Sequence, residues 1–173
     1  MAYSPCRDFT AILNDAPDWS SPQARAEALL PLALAQLGAA DADWAEWVRL
    51  LALRTVREVV PIALRAYELD EDLTTACEQA EDLTQADNAA FRAFRAYAKA
   101  NESDEADGRW VRHAAEDAAE EGYGAARYAA RARAFAAEDA ARAAVHAARA
   151  NNSDDALRLA ARIAVECLEA TRS

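Results

Sequence analysis

Alanine is the feature of this sequence that most constrains its fold. It occupies 49 of the 173 positions, whereas the chain contains only four glycines and five prolines. Alanine has the highest helix propensity of all residues, and an all-β chain would need far more turn-forming residues. The composition therefore predicts an all-α fold, an antiparallel multi-helix bundle of about six or seven helices. Because alanine side chains let helices approach closely, we expect a close-packed C-terminal half, where alanine is most frequent.

Helix start and stop signals divide the chain into an irregular N-terminal arm at 1–20 and a single helical domain at 21–173. Ser21 is a candidate N-cap, and Pro22 fits the first helical position after it. The acidic run at 101–108 predicts a solvated linker, so the domain can consist of two helical halves joined there. The predicted helices span residues 22–38, 42–69, 72–83, 87–100, 109–121, 125–150 and 154–171, and the one at 125–150 is either continuous or broken midway.

The predicted second helix contains a regular apolar stripe and an internal proline. The larger apolar residues recur at spacings of three and four, which is typical of a buried helix face; they are Leu53, Val56, Val60, Leu64 and Tyr67. Pro61 has no N–H to donate, so the carbonyl of Arg57, four residues earlier, loses its helical partner. We therefore expect a bend near Arg57.

The second half of the chain contains an internal repeat. The sequence Ala-Ala-Glu-Asp-Ala-Ala stands at 114–119 and again at 136–141, an offset of 22 residues that is close to six helical turns. The repeat fits either two successive helices or one continuous face. Gly122 and Gly124 lower the helix propensity between the copies, so the sequence favours successive helices with a break at these glycines.

The chain is strongly acidic. Thirty Asp and Glu residues against nineteen Arg and Lys residues give a net charge of −11, and Lys99 is the only lysine. Such a charge repels polyphosphate and anionic lipid, which argues against binding to nucleic acid or to a membrane and favours a basic protein partner. A surface adapted to high salt would also be acidic, so the charge alone does not decide between the two.

The cysteines and the N-terminal sequence indicate the cellular compartment in which the protein works. Cys6, Cys77 and Cys167 are odd in number and form no Cys-x-x-Cys pair, which indicates a reducing environment. The sequence has neither the basic start and apolar run of a signal peptide nor an apolar stretch long enough to span a membrane. We therefore expect a cytoplasmic protein.

No motif for catalysis or for a cofactor is found. His113 and His146 lack the glutamate three residues earlier that a di-iron bundle requires, and no pair of Cys or His residues has zinc spacing. Cys77 lies next to Glu78, which disfavours a thiolate. Phosphate-binding, dinucleotide-binding and Gly-x-Ser-x-Gly motifs are also missing from the sequence. We therefore predict no metal, no cofactor and no enzymatic activity.

Aromatic and acidic side chains remain as candidates for binding a partner. Trp44 and Trp47 lie one turn apart, and they either cap the bundle core or form an aromatic patch on a binding surface. Arg92, Arg95 and Lys99 form a basic stripe, which we expect to pair with neighbouring acidic residues rather than to receive an acidic partner. The candidate partner-binding residues are Trp44, Trp47, Glu102, Asp104, Glu105, Asp107, Glu116, Asp117, Glu120 and Glu121.

Two segments resemble a known family. Residues 54–68 read Arg-Thr-Val-Arg-Glu-Val-Val-Pro-Ile-Ala-Leu-Arg-Ala-Tyr-Glu, and residues 87–99 read Asp-Asn-Ala-Ala-Phe-Arg-Ala-Phe-Arg-Ala-Tyr-Ala-Lys. These segments resemble successive helices of the Ala-rich immunity proteins that accompany bacterial polymorphic toxins, and the Ala/Arg runs at 125–149 are similar to the C-terminal half of that family. The N-terminal arm and the segment 101–108 depart from the family pattern. The resemblance, over about residues 54–150, implies neutralisation of a toxin and carries over no catalytic residue.

The sequence therefore predicts a non-catalytic acidic binding protein that covers the active site of a basic toxin. The alternative is a scaffold module that self-associates through its alanine-lined helix faces, in which case a homo-oligomer is expected. An enzyme or a small-ligand binder would need a cavity lined by Trp44, Trp47 or Tyr67 with a histidine nearby, which close helix packing disfavours.

Overall fold

The computed structural model describes residues 44–67, 69–102, 108–131, 135–153 and 155–171, and these residues form helices and no strand. The all-α prediction is confirmed. The predicted arm at 1–20 and the predicted helix at 22–38 lie outside the described residues. The elements are α1 (Trp44–Arg54), a π-helical turn (Thr55–Val59), α2 (Val60–Ala66), α3 (Glu71–Glu78), α4 (Leu83–Asn101), α5 (Arg109–Ala129), α6 (Phe135–Asn151) and α7 (Asp155–Ala170).

The irregularity expected near Arg57 is a π-helical turn. Helices α1 and α2 continue one another through Thr55–Val59, and the N–H of Val60 donates to the carbonyl of Thr55, five residues earlier. Pro61 follows in the first turn of α2. One extra residue in a turn lets a helix pass a missing donor without ending. Of the apolar stripe predicted for this helix, Val56, Val60 and Leu64 are fully buried, whereas Leu53 and Tyr67 are half-buried.

Two predicted helix boundaries are wrong. Helix α3 ends at Glu78 rather than near 83, and α4 begins at Leu83 rather than at 87. Asp82 is the N-cap of α4, because its side chain accepts a hydrogen bond of 2.8 Å from the N–H of Gln85. Gln85 in turn accepts a hydrogen bond of 3.0 Å from the N–H of Glu81. The side chains of Asp82 and Gln85 thus each accept a backbone N–H at this end of the helix, and the two bonds fix the start of α4.

The predicted break at Gly122 and Gly124 is also wrong, because α5 passes through both glycines without interruption. A Cβ atom at Gly122 would stand 2.6 Å from Val60 Cγ2. The glycine therefore serves the close approach of α2 to α5 rather than the end of a helix. The two copies of the repeat do lie on successive helices, but α6 begins only at Phe135.

Helices α4, α5 and α6 pack side by side in antiparallel order with α5 in the middle, and the continuous α1–α2 helix packs across α5 and α6. Alanines make up most of the buried surface of α5 and α6, as predicted for a close-packed C-terminal half. Trp47 of α1 is 2 % exposed, and its indole N–H donates to the carbonyl of Ala164 on α7 at 3.0 Å. Among the helices that the structure describes, none has the length and apolar character needed to cross a bilayer.

Candidate functional site: an acidic groove between α5 and α6

A groove with a volume of about 490 Å³ lies between the C-terminal half of α5 and the first turns of α6. These segments meet because the two helices are antiparallel neighbours. Acidic residues of the lining come earlier along α5 and basic residues later, so the two ends of the groove differ in charge. The groove is lined by Glu120, Glu121, Tyr123, Gly124, Arg127, Tyr128, Arg131 and Asp139.

Glu121 and Asp139 are neighbouring carboxyl groups at the acidic end of the groove. Burial, and then the negative charge of Asp139, raises the pKa of Glu121 to about 7, although the Arg142 guanidinium 4.0 Å away opposes the shift. Burial also raises the pKa of Asp139, which is only 9 % exposed. Two carboxylates repel each other where little water screens them, so the pair favours the protonated form of Glu121 at pH values below about 7.

Gly124 makes room for this pair. A Cβ atom at Gly124 would collide with Asp139 Oδ2. Because glycine has no side chain, α6 can bring the carboxyl group of Asp139 against the backbone of α5. The glycine that sequence analysis assigned to a helix break therefore leaves the space that the carboxyl group of Asp139 occupies.

Asp117 and His146 join the same two helices further along. Asp117 Oδ2 lies 3.3 Å from His146 Nδ1. Burial lowers the pKa of His146, and this effect outweighs the nearby Asp117, which raises it. The imidazole is therefore mostly neutral at pH 7, and the contact provides little ion pairing there. The side chain of Asp117 is 48 % exposed and adds to the acidic surface beside the groove.

Glu116 takes part in a different contact, between α4 and α5. It accepts a hydrogen bond of 2.6 Å from Asn101 Nδ2 and lies 3.5 Å from His113 Nδ1. Asn101 also accepts a hydrogen bond from the buried Arg112, whose guanidinium lies 5.3 Å from the centre of the Tyr67 ring. This polar network joins the end of α4 to the start of α5, so Glu116 is held away from the groove.

Of the other predicted site residues, some line the groove, one lies in the core, one is exposed after α4, and the rest lie outside the residues that the structure describes. Glu120 and Glu121 line the groove. Trp47 is buried, which confirms the core alternative for this residue. Glu102 is exposed directly after α4. The side chain of Trp44 and the residues Asp104, Glu105 and Asp107 lie outside the described part of the chain.

The basic stripe of α4 is exposed. No ion pair joins Arg92, Arg95 or Lys99 to Glu102 or to any other residue that the structure describes. Phe91 lies beside the stripe and is 42 % exposed, and its ring centre is 5.1 Å from that of Tyr123 on α5. The alanines of α4, together with the buried Tyr97, form its contact with the core.

Sequence reasoning missed Asp139, Gly124 and the groove tyrosines. The available signal was the repeat, since Asp139 is the counterpart of Asp117 and stands among alanines that are buried. A carboxyl group on an otherwise apolar helix face needs a polar partner, and that partner is Glu121. The carboxyl groups of Glu121 and Asp139 together can bind a cation or exchange a proton.

No family model matches the chain, and comparisons with curated proteins and with solved structures find no match either. Among the described residues, no group of three or more His, Cys, Asp or Glu side chains is arranged to hold a metal ion. Cys77 and Cys167 are buried and free, and burial raises the pKa of the Cys77 thiol to about 12. The charge and shape of the groove therefore provide the strongest basis for a functional proposal.

Proposed function

We propose that this chain is a cytoplasmic, non-catalytic acidic binding protein that neutralises a basic protein by contact, as its resemblance to Ala-rich immunity proteins implies. One observation carries the proposal, namely that α5 and α6 place carboxyl groups together on one accessible surface. We call this surface the acidic face. It comprises Asp117, Glu120, Glu121 and Glu138, together with the buried carboxyl group of Asp139.

Apart from Glu121 and Asp139, whose pKa values are raised, the acidic face still has three carboxyl groups, those of Asp117, Glu120 and Glu138, against the guanidinium of Arg142. Arg142 forms an ion pair with Glu138 and lies 4.0 Å from Glu121, so a single guanidinium serves two carboxyl groups. The surplus agrees with the net charge of −11. A basic partner would be attracted over a distance of about 10 Å at moderate salt and would replace the missing counter-charge on contact.

Self-association through alanine-lined faces has less support. Ala118 and Ala125 of α5 and Ala140 and Ala147 of α6 are buried inside the chain. Alanines that already pack against neighbouring helices offer no apolar face to a second copy. The described surface of α5 and α6 is instead rich in charged side chains, which suits a polar, non-obligate interface.

Light scattering coupled to size exclusion tests the proposal. The chain is measured at low and at high salt, alone and mixed with the product of the neighbouring gene, which the proposal expects to be a basic protein. We expect a monomer that forms a defined complex, and we expect the complex to dissociate as salt rises because exposed charges are screened. A salt-insensitive oligomer that ignores the basic protein would contradict the proposal and would favour the scaffold alternative.

A further inference from the structure

We propose that the exposed side of α4 binds an acidic segment of a second protein, which contacts the helix through carboxylates and one apolar side chain. We call this surface the cationic face. It comprises the basic stripe of Arg92, Arg95 and Lys99 together with Phe91, and all four side chains are exposed. It lies across α5 from the acidic face, because α4 and α6 pack on opposite sides of α5. The inference therefore adds a second recognition surface, of opposite charge, and does not rest on the function proposed above.

The charge of the cationic face is the reverse of that of the whole chain. Acidic residues outnumber basic residues by 30 to 19 over the sequence, but Asp87 is the only acidic residue of α4, which runs from Leu83 to Asn101. Burial raises the pKa of Asp87, and the basic side chain that opposes this shift is Arg127 of α5 rather than a cation of α4. The cationic face therefore has no neutralising carboxylate on its own helix.

The cations of this face are also unpaired. Among the described residues, no ion pair or hydrogen bond joins the side chain of Arg92, Arg95 or Lys99 to another residue. By contrast, the exposed Arg49 and Arg158 bind carboxylates on their own helices. Arg95 and Lys99 are four residues apart, and like charges at this spacing destabilise a helix. A partner's carboxylates would relieve that repulsion without displacing an existing ion pair.

Phe91 gives the cationic face an apolar contact point. Its ring is 42 % exposed, and its centre lies 6.4 Å from that of Phe94 and 5.1 Å from that of Tyr123 on α5. The neighbouring rings therefore support Phe91 while part of its surface stays open to solvent. A supported aromatic ring buries a large apolar area on binding and loses little conformational entropy. Arg127 donates to the hydroxyl of Tyr123, so positive charge continues from α4 onto α5.

A short acidic segment suits this surface better than a nucleic acid does. The cations from Arg92 to Lys99 span about 10 Å along the helix axis, so a partner needs only a few carboxylates to match them. A polyphosphate would bring many more charges into the field of a chain whose net charge is −11, and that field would repel it. A segment with few carboxylates and one apolar residue experiences less repulsion and also contacts Phe91.

Fluorescence anisotropy with a synthetic peptide tests the inference. The probe is a fluorescein-labelled peptide of four Glu-Leu-Glu repeats. One control has Gln-Leu-Gln repeats, which lack the charge, and the other has Glu-Ser-Glu repeats, which lack the apolar residue. We expect the Glu-Leu-Glu peptide to bind at low salt and to bind less well as salt rises. Each control should bind about fivefold more weakly, because it lacks one of the two kinds of contact.

Three variants locate the binding site. Arg92→Gln with Arg95→Gln should weaken binding of the Glu-Leu-Glu peptide by about fivefold. Arg109→Gln with Arg162→Gln removes two exposed charges from α5 and α7 and should leave the affinity nearly unchanged. Phe91→Ala should weaken binding of the Glu-Leu-Glu peptide but not of the Glu-Ser-Glu peptide, a difference that loss of folding would not produce.

Several results would overturn the inference. These are no binding of the Glu-Leu-Glu peptide at low salt, equal binding of all three peptides, and equal weakening by the two arginine pairs. Tighter binding of an oligothymidine that is lost in Arg92→Gln with Arg95→Gln would assign the surface to nucleic acid instead. A concentration-dependent dimer in sedimentation that is lost in the same variant would assign it to a second copy. Because the acidic face takes no part, absence of a complex with the basic protein would leave the peptide result unaffected.

Discussion

Gly122 and Gly124 are two residues apart on α5, and each lies where a different element reaches the backbone of that helix. Gly122 faces Val60 of α2, which is fully buried and has a branched, rigid side chain. Gly124 faces the carboxyl end of Asp139, which can rotate away. The same substitution at the two sites should therefore have different costs.

We expect Gly122→Ala to lower the free energy of unfolding by about 1–3 kcal/mol, since the added methyl group overpacks the contact with Val60. Gly124→Ala should stay within about 1 kcal/mol of the parent, because rotation of Asp139 relieves the clash and alanine favours the helix. Urea unfolding of both variants measures the difference. Equal losses would contradict the assignment of Gly122 to the core contact.

Sequence reasoning interpreted these glycines by propensity alone. A glycine in an alanine-rich stretch usually weakens a helix, and the sequence does not reveal which neighbouring element approaches it. The partner of Gly124 lies 15 positions later on another helix. Asp139 was missed for the same reason, because its contact with Glu121 exists only once α5 and α6 are packed together.

Because the pKa of Glu121 is raised in the folded chain, we predict that the free energy of unfolding decreases as pH rises. This pKa is raised from 4.5 to about 7 in the folded chain, so the folded state binds more protons than the unfolded state between these values. The free energy of unfolding therefore falls as pH increases through that window, and the loss persists above pH 7. Glutamine cannot ionise, so Glu121→Gln should be more stable than the parent at pH 8 by about 1 kcal/mol, after allowance for its partial exposure.

Thermal or urea unfolding of the parent, Glu121→Gln and Glu71→Gln between pH 5 and pH 8 checks this sign. The difference between Glu121→Gln and the parent should grow with pH, whereas Glu71→Gln should follow the parent throughout. A difference that shrinks with rising pH would contradict the account of the carboxyl pair.

At the scale of the helices, the patterns that depend on neighbours in sequence were predictable. The three- and four-residue spacing of apolar residues placed the centre of the buried face of the α1–α2 helix correctly, at Val56, Val60 and Leu64, and Pro61 marked the position of its irregularity. The sequence did not predict that this irregularity is a π-helical turn, because its form depends on how the chain accommodates the carbonyl of Arg57, which has no donor at Pro61. The buried face of α4 was harder to foresee, because it consists of alanines and Tyr97 while Phe91 stays 42 % exposed.

The start of α4 depends on the side chain of Asp82. Asp82→Ala should lower the free energy of unfolding by about 1 kcal/mol, because the N–H of Gln85 loses its acceptor. Asp82→Asn keeps an acceptor oxygen and is the matched control, which we expect to stay close to the parent. Urea unfolding should show a lower midpoint for the alanine variant with an unchanged slope. Equal stability of the two variants would contradict the role of the Asp82 side chain as the N-cap of α4.

On the scale of the whole molecule, the charge is unevenly distributed over the described surface. Carboxyl groups gather on the acidic face of α5 and α6, while the exposed cations Arg92, Arg95 and Lys99 occupy α4 on the other side of α5. The sequence revealed the excess of acidic residues, but only as separate runs along the chain. That these residues lie on one surface could not be predicted, because they come together only when α5 packs antiparallel against α6.

The affinity of two charge variants for the basic partner tests the central claim most directly. Asp117→Asn with Glu120→Gln removes two charges from the acidic face, and Glu71→Gln with Asp72→Asn removes two exposed charges from α3 with the same chemistry. We predict that the first pair weakens binding by about tenfold and makes it less sensitive to salt, whereas the second pair leaves both nearly unchanged. Equal weakening by the two pairs would show that net charge alone attracts the partner and would contradict a binding site on the acidic face.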